Sequence, residues 1–245
     1  MSGMDRSNTW LHEGGVRQAE LYTSTADVIL PERYRIIRIL SDIFWYHFGE
    51  RTGLSILDLG CGDGVVTEQI HARSPENTFY LLDGSSAMLE RAKQRLGEGG
   101  FCFVYQTFEA YMEADVEDHR YDFCFSVNPI HHLSFLNKAR LYAKLYRELR
   151  HGGLFLVSDP VQPASERSER WQFELWRDWM NEALEAIGRQ GEVGRYDELP
   201  LEYKHKPENK ASGLFEQIQL LRQVGFRDVD CFWKYGIFAV FGGIK

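Results

Sequence analysis

The chain of 245 residues lacks any apolar run long enough to cross a membrane, and its opening Met-Ser-Gly-Met-Asp-Arg-Ser-Asn has no hydrophobic signal core. Neither a membrane partner nor an export signal is expected, and a reducing cytoplasm is the default setting. Cysteine is scarce. Cys61, Cys102, Cys124 and Cys231 form no C-x-x-C pair, so neither a disulfide framework nor a metal site is expected. Cationic charge is short as well: 28 Lys and Arg face 36 Asp and Glu, for a net charge of -8. Broad nucleic-acid binding needs basic surface to displace phosphate counterions and is therefore disfavoured. The cluster Lys204, His205, Lys206 and Lys210 is short and reads as a solvated loop. Internal repeats and low-complexity tracts are absent.

What is present centres on residues 55–64, Ser-Ile-Leu-Asp-Leu-Gly-Cys-Gly-Asp-Gly. Ile56, Leu57 and Leu59 suit a buried parallel strand. Gly60, Cys61, Gly62, Asp63 and Gly64 make a tight turn, and residues 65–73 open a helix. Strand, glycine turn and helix form the first half of a βαβ nucleotide site. A dinucleotide loop would read G-x-G-x-x-G and offer amides to a pyrophosphate. Here the third glycine falls one place early, and Asp58 and Asp63 bring negative charge, which suits a cationic ligand better than a phosphate.

Asp-Leu-Gly-Cys-Gly-Asp-Gly on a predicted strand resembles motif I of the class I S-adenosylmethionine (SAM)-dependent methyltransferases. The resemblance implies an α/β fold: a Rossmann-like, doubly wound, seven-stranded sheet, mostly parallel with an antiparallel last strand. It implies SAM as cofactor, with Asp58, Gly60, Cys61, Gly62 and Asp63 around it. Further strands are expected at 78–82, 101–105, 121–127, 154–158, 229–233 and 237–241, with apolar helical spacing between them. A helix over 136–149 is expected to end in the left-handed manner at His151-Gly152-Gly153.

The second strand closes on Asp83, about 20 residues past the glycine turn, where a carboxylate can accept both ribose hydroxyls. Leu-Asp-Gly-Ser-Ser-Ala-Met-Leu resembles the family's second motif. It implies that Gly84 and Ser85 line the cofactor and that Met88 flanks adenine. A purely capping Asp83 and a purely core Met88 are the alternatives. After the third strand the family commonly carries an acid for the adenine amino group; this chain has Thr107, followed by Phe108. After the fourth strand, Asn128-Pro129-Ile130-His131-His132-Leu133 resembles the family's polar residue and His-His-Leu run. The switch-point rule places Asn128, Pro129 and the histidines in the crevice beside the first strand. His131, His132 and Asn128 are the candidate catalytic residues, a histidine serving as base for a protonated nucleophile. In the alternative, His132 packs beneath the cofactor and His131 caps the next helix.

Residues 1–50 read as an N-terminal helical cap and 51–245 as the SAM-binding domain, with a helical insertion after strand five at 161–212. Trp10, Tyr22, Arg33 and Tyr34 of the cap are candidate pocket contacts, with ordinary packing as the alternative. In the insertion Trp171, Leu175 and Trp179 share one helical face, and Phe173, Trp176 and Met180 lie beside it. Trp176 and Tyr203 are the candidate acceptor contacts, against the alternative that the tryptophans pack on the N-terminal helices. Residues 188–210 read as loop.

Three functions are compatible with these residues. Methyl transfer to a small-molecule acceptor comes first. Second is a SAM-consuming reaction without methyl transfer, such as cyclisation to azetidine-2-carboxylate and methylthioadenosine. The carboxymethyl-SAM synthase family, which shares the fold and a Pro-x-x-Tyr-like segment (here Pro31 to Tyr34), makes such departures credible. Third is a non-catalytic SAM-binding partner subunit. A small-molecule substrate is expected as partner, and a homodimer is left open.

Overall fold

A computed structural model describes residues 15–97, 99–114 and 120–245. In chain order the elements are α1 (Gly15–Ile29), α2 (Arg33–Phe48), β1 (Ser55–Leu59), α3 (Val65–His71), β2 (Thr78–Asp83), α4 (Ser86–Leu96), β3 (Phe101–Tyr105) and α5 (Phe108–Glu113). They continue as β4 (Tyr121–Val127), α6 (Phe135–Glu148), β5 (Leu149–Pro160), α7 (Glu166–Ala186), α8 (Leu199–His205), α9 (Leu214–Val224), β6 (Arg227–Tyr235) and β7 (Phe238–Ile244). The seven strands form one sheet in the order β3-β2-β1-β4-β5-β7-β6. Pairing is parallel from β3 through β5, and β7 runs antiparallel to both its neighbours. This is the expected doubly wound arrangement, final strand included.

Strand residues alternate between two cores, as the period of two requires. Ile56, Phe123, Phe125, Leu154 and Leu156 meet Ile36, Leu40 and Phe44 of α2 and Val66 and Ile70 of α3. Leu57, Leu59, Cys124, Phe155 and Val157 meet Leu141, Tyr142 and Leu145 of α6 and Ile218 and Leu221 of α9. Burial on both faces explains why these strands are apolar throughout. Each such side chain contributes about 1.5–3 kcal/mol by leaving water. A third cluster joins Ala26 and Val28 of α1 to Phe173, Trp176, Met180 and Leu184 of α7.

The N-terminal helices thus divide. α2 covers the sheet, and α1 docks on the insertion, where Trp176 Nε1 donates to Ile29 O at 2.7 Å and Trp179 Nε1 to Val28 O at 3.1 Å. Trp171 stands 60% exposed, outside that contact. Two local expectations are corrected. Helix α6 ends at Glu148 because Leu149 is already extended (φ -70°, ψ 144°), and Gly152 (φ 75°) instead serves an irregularity inside β5. In that irregularity Gly152 N–H donates to Lys245 O, and Lys245 N–H donates to Gly153 O. The stretch read as loop contains α8, opened by Pro200 in its first turn, where the missing N–H is harmless.

Because β1 and β4 are neighbours while β2–β3 and β5–β7–β6 lie to either side, strand order reverses between them. A crevice at the carboxyl ends of β1 and β4 is where such sheets bind ligands.

Candidate functional site

The turn after β1 is folded by backbone pairing and by glycines at positive φ. Gly60 N–H and Cys61 N–H both donate to Leu82 O, at 2.7 and 3.1 Å, folding the turn against β2. Gly60 has φ 72°, and a Cβ there would stand 2.5 Å from Pro129 Cγ. Gly64 (φ 76°) lets α3 approach α4, since its Cβ would lie 3.0 Å from Leu96 Cδ1 and 3.3 Å from Ala92 Cβ. Met88, buried on α4, reaches across the turn: a Cβ on Gly62 would touch its Cε at 3.6 Å. Phe108 lies 3.5 Å from the corresponding point on Gly60. Gly60, Gly62, Met88, Phe108 and Pro129 are therefore one assembly.

Its electrostatics are set by acids. Asp58 is buried and accepts Thr67 Oγ1–H at 2.7 Å. Burial pushes its carboxyl up to about 8, with Asp83 and Asp63 adding to the rise; only the Thr67 hydroxyl opposes it. Asp83 accepts from two amides, Gly62 N–H at 2.9 Å and Ser85 N–H at 2.8 Å, and burial raises it despite them. Ser85 caps α4, its Oγ accepting Met88 N–H, with Gly84 between cap and acid. The Cys61 thiol is pushed well up by burial and by the same carboxylates, so it is neutral.

Asp63 departs from expectation. Its carboxylate pairs with Arg95 of α4 at 2.7 Å, so its charge is already matched within the protein. Thr107 caps α5, its Oγ1 accepting Ala110 N–H at 3.2 Å, so the hydroxyl meant for adenine is engaged as an acceptor by the helix.

At the end of β4, Asn128 is held in the left-handed region (φ 70°), its N–H donating to Ser158 O at 2.7 Å. Non-glycine residues rarely adopt this conformation. Its side chain hydrogen-bonds the phenol of Tyr22 from α1, and Arg33, Asp63 and Asp83 all act on that phenol. Arg33 also pairs with Asp27 at 2.6 Å. Tyr22, Arg33 and Asn128 are thus brought together over the acids. Tyr34 is 75% exposed at the start of α2, and Trp10 lies outside the described residues.

The two histidines differ. His131 is buried, and its Nδ1 lies 2.9 Å from Asp159 Oδ1 at the end of β5. His132 Nδ1 donates to Glu208 O at 3.2 Å, and burial beside His131 lowers its pKa to about 3. A ring so weakly basic makes a poor proton acceptor, so the candidate base His132 is corrected to a tether for the loop before α9. Nor does His131 cap α6, since Ser134 fills that position. Above them, Tyr203 of α8 lies 5.7 Å from the His131 ring and 5.7 Å from Trp176 of α7. Trp176 therefore packs on α1 and on Tyr203 of α8.

Residues 56–153 match the family model described as "Methyltransferase domain". That stretch of the chain is similar to methyltransferase domains. Malonyl-(acyl-carrier protein) O-methyltransferase 1 of Ilyobacter polytropus is 33% identical over 111 residues, 45% of this chain and 39% of that one. Carboxy-S-adenosyl-L-methionine synthase of Nautilia profundicola is 24% identical over 200 residues, 78% of this chain and 76% of that one. Human N-acetylserotonin methyltransferase, solved in complex with SAM, superposes with a TM-score of 0.59 at 15% identity, covering all of this chain and 60% of that one. The chain spans half or less of the length of the first curated relatives it matches.

For a methyltransferase domain of this kind, the residues present fit the cofactor. A cradle that a Cβ would fill, the buried carboxylate of Asp58 and the half-buried one of Asp83 meet at the turn. Among the described residues no cluster of His, Cys, Asp and Glu could hold a metal. One residue escaped the sequence reading: Asp159, near the end of β5. Its signal was present, since an acid closing a buried apolar strand matches the pattern of Asp83 in β2.

Proposed function

We propose that this chain is a SAM-dependent methyltransferase acting on a small-molecule acceptor. The observation that carries the reading is the state of Asp58. The side chains acting on it are Thr67, Asp83 and Asp63, none of them a cation. An acid left so uncomfortable at a glycine turn is relieved by a ligand bearing positive charge. When bound, SAM supplies an electrophilic methyl group on a sulfonium. The work left to the chain is alignment: Gly60, Gly62, Met88 and Asp83 hold the nucleoside end, and Asn128, His131, Tyr22 and Tyr203 face the reacting end. Alignment of this kind can supply up to ~7–11 kcal/mol of the barrier. A base contributes only where the acceptor arrives protonated.

A second reading takes SAM as the sole substrate. Of the three comparisons above, the curated relative matched over most of both chains carries the name of a carboxy-S-adenosyl-L-methionine synthase, whose named product is not a methylated acceptor. The aromatic side chains gathered near Asn128 and His131, Tyr22 and Tyr203, also suit a cationic sole substrate. In cyclisation the α-amine loses a proton and attacks the carbon beside sulfur. The C–S bond breaks, and azetidine-2-carboxylate and methylthioadenosine leave.

One experiment tests both readings. The protein is incubated with SAM alone and with a metabolite pool, and the nucleoside product is identified by mass. S-adenosylhomocysteine formed only with the pool supports methyl transfer, and methylthioadenosine formed with SAM alone supports cyclisation. Tight binding of SAM without consumption leaves the non-catalytic partner subunit, and no binding overturns the assignment.

A further inference from the structure

Three buried polar groups on separate elements meet beside the crevice: His131 after β4, Asp159 at the end of β5 and Tyr203 on α8. Asp159 Oδ1 takes the hydrogen bond from His131 Nδ1 at 2.9 Å, while Asp159 Oδ2 and the Tyr203 hydroxyl are both buried without a hydrogen-bond partner. Buried polar atoms are normally satisfied, and two such orphans at one place point to a ligand or water that completes them. Burial raises the Asp159 carboxyl, and His131 and Lys138 oppose the rise. Lys138 of α6 acts on it, and the phenols of Tyr142 on α6 and Tyr203 lie near enough to feel it. Lys138 itself is anchored on Lys210 O at 2.6 Å and Ser212 Oγ at 2.8 Å. The other neighbour of His131 is His132, with ring centres 4.1 Å apart. His132 is neutral, so it presents no competing cation.

We propose that Asp159 is a positioning residue that holds His131 as the Nδ1–H tautomer, so that Nε2 accepts the proton the reaction releases. This rests on reading the crevice as a SAM site. A carboxylate can only accept, so the shared hydrogen sits on Nδ1, and the far ring nitrogen keeps its lone pair. Nδ1 and Nε2 lie on opposite edges of the imidazole, so Nε2 is directed away from β5. In methyl transfer to a hydroxyl, thiol or amine, the new bond to carbon forms as the C–S bond breaks. The C–S electron pair stays on sulfur, and the acceptor's proton passes to Nε2. In the cyclising alternative the same atom takes the ammonium proton. Either way the ring becomes an imidazolium whose charge Asp159 stabilises. The acceptor class that follows is one whose nucleophile carries a proton at neutral pH, with a polar group for the Tyr203 hydroxyl.

The test is made on the full chain with 15N-labelled histidine, with and without S-adenosylhomocysteine, the His131→Gln spectrum identifying the resonances. The neutral ring is expected to be protonated on Nδ1, and Asp159→Asn, whose amide can donate as well as accept, should weaken that tautomer preference. Whichever SAM-consuming reaction is found, Asp159→Asn should lower kcat by ~10²–10⁴-fold with the KM for SAM unchanged. The double variant should be no slower than His131→Gln alone. A neutral His131 protonated on Nε2 overturns the proposal, and so does a tautomer population that ignores Asp159→Asn. If that variant does not fold, the wild-type tautomer decides alone. Failure to bind the nucleoside would sink the cofactor reading and leave the tautomer result standing.

Discussion

Asp58 should make cofactor affinity depend on pH in a calculable way. In the free protein its carboxyl titrates at about 8, against 3.8 for an unperturbed carboxyl. A bound cation favours the ionised form, so binding must first remove a proton from most molecules below pH 8. At pH 7 about one molecule in ten is ionised. The penalty is then ~1.4 kcal/mol, tenfold in Kd, and a hundredfold at pH 6. Affinity for SAM should therefore rise about tenfold per pH unit from 6 to 7.5 and flatten above 8. Binding at pH 7 should release close to one proton. Isothermal titration calorimetry in buffers of contrasting ionisation enthalpy measures both quantities. The ligand's own α-amine titrates near 7.7–8.0, but it is common to wild type and Asp58→Asn. The difference between their profiles isolates Asp58. A wild-type affinity flat from pH 6 to 9, or a slope that survives in Asp58→Asn, would refute the reasoning.

The remaining expectations are shorter. Without ligand, Asp58→Asn should raise the melting temperature at pH 8.5. A raised folded-state pKa means stability is lost as pH climbs from about 4 to about 8, by up to roughly 5 kcal/mol; an unchanged melting temperature would contradict the burial argument. His132, lowered to about 3, should show no protonation by NMR between pH 5 and 9. The sign there is opposite, and its contribution is lost as pH falls below about 6.5. Gly60→Ala should destabilise the fold by more than ~1 kcal/mol, given the positive φ and the approach to Pro129, and chemical denaturation measures it. Trp176→Ala should remove ~3–5 kcal/mol and speed hydrogen exchange across α1 before the sheet.

The sheet was legible because parallel strands buried on both faces write continuous apolar runs between glycine turns. The strands at 101–105 and 121–127 match their predicted limits residue for residue. Helix ends were less legible. His151-Gly152-Gly153 looks like a helix stop, but the carboxyl-terminal backbone at Lys245 pairs with it and draws the glycines into β5, a contact between residues over 90 positions apart. α8 was hidden in a polar stretch because most of its residues face solvent and its packing rests on Tyr203 and Pro200. At the site, the glycine turn, Asp83 and the crevice address of Asn128 could be read from spacing. The partners could not. That Asp63 pairs with Arg95, that His132 bonds a carbonyl and that Asp159 faces His131 are all consequences of tertiary placement.

The two indole bonds to the end of α1 tie distant parts of the chain to one another. Trp176 and Trp179 grip the carbonyls of Ile29 and Val28 across roughly 150 positions of chain, so α1 and α7 form a single piece made from two distant segments. Tyr22 rides on that piece. Loosening either indole bond would therefore disturb the insertion and the helix that carries Tyr22 together.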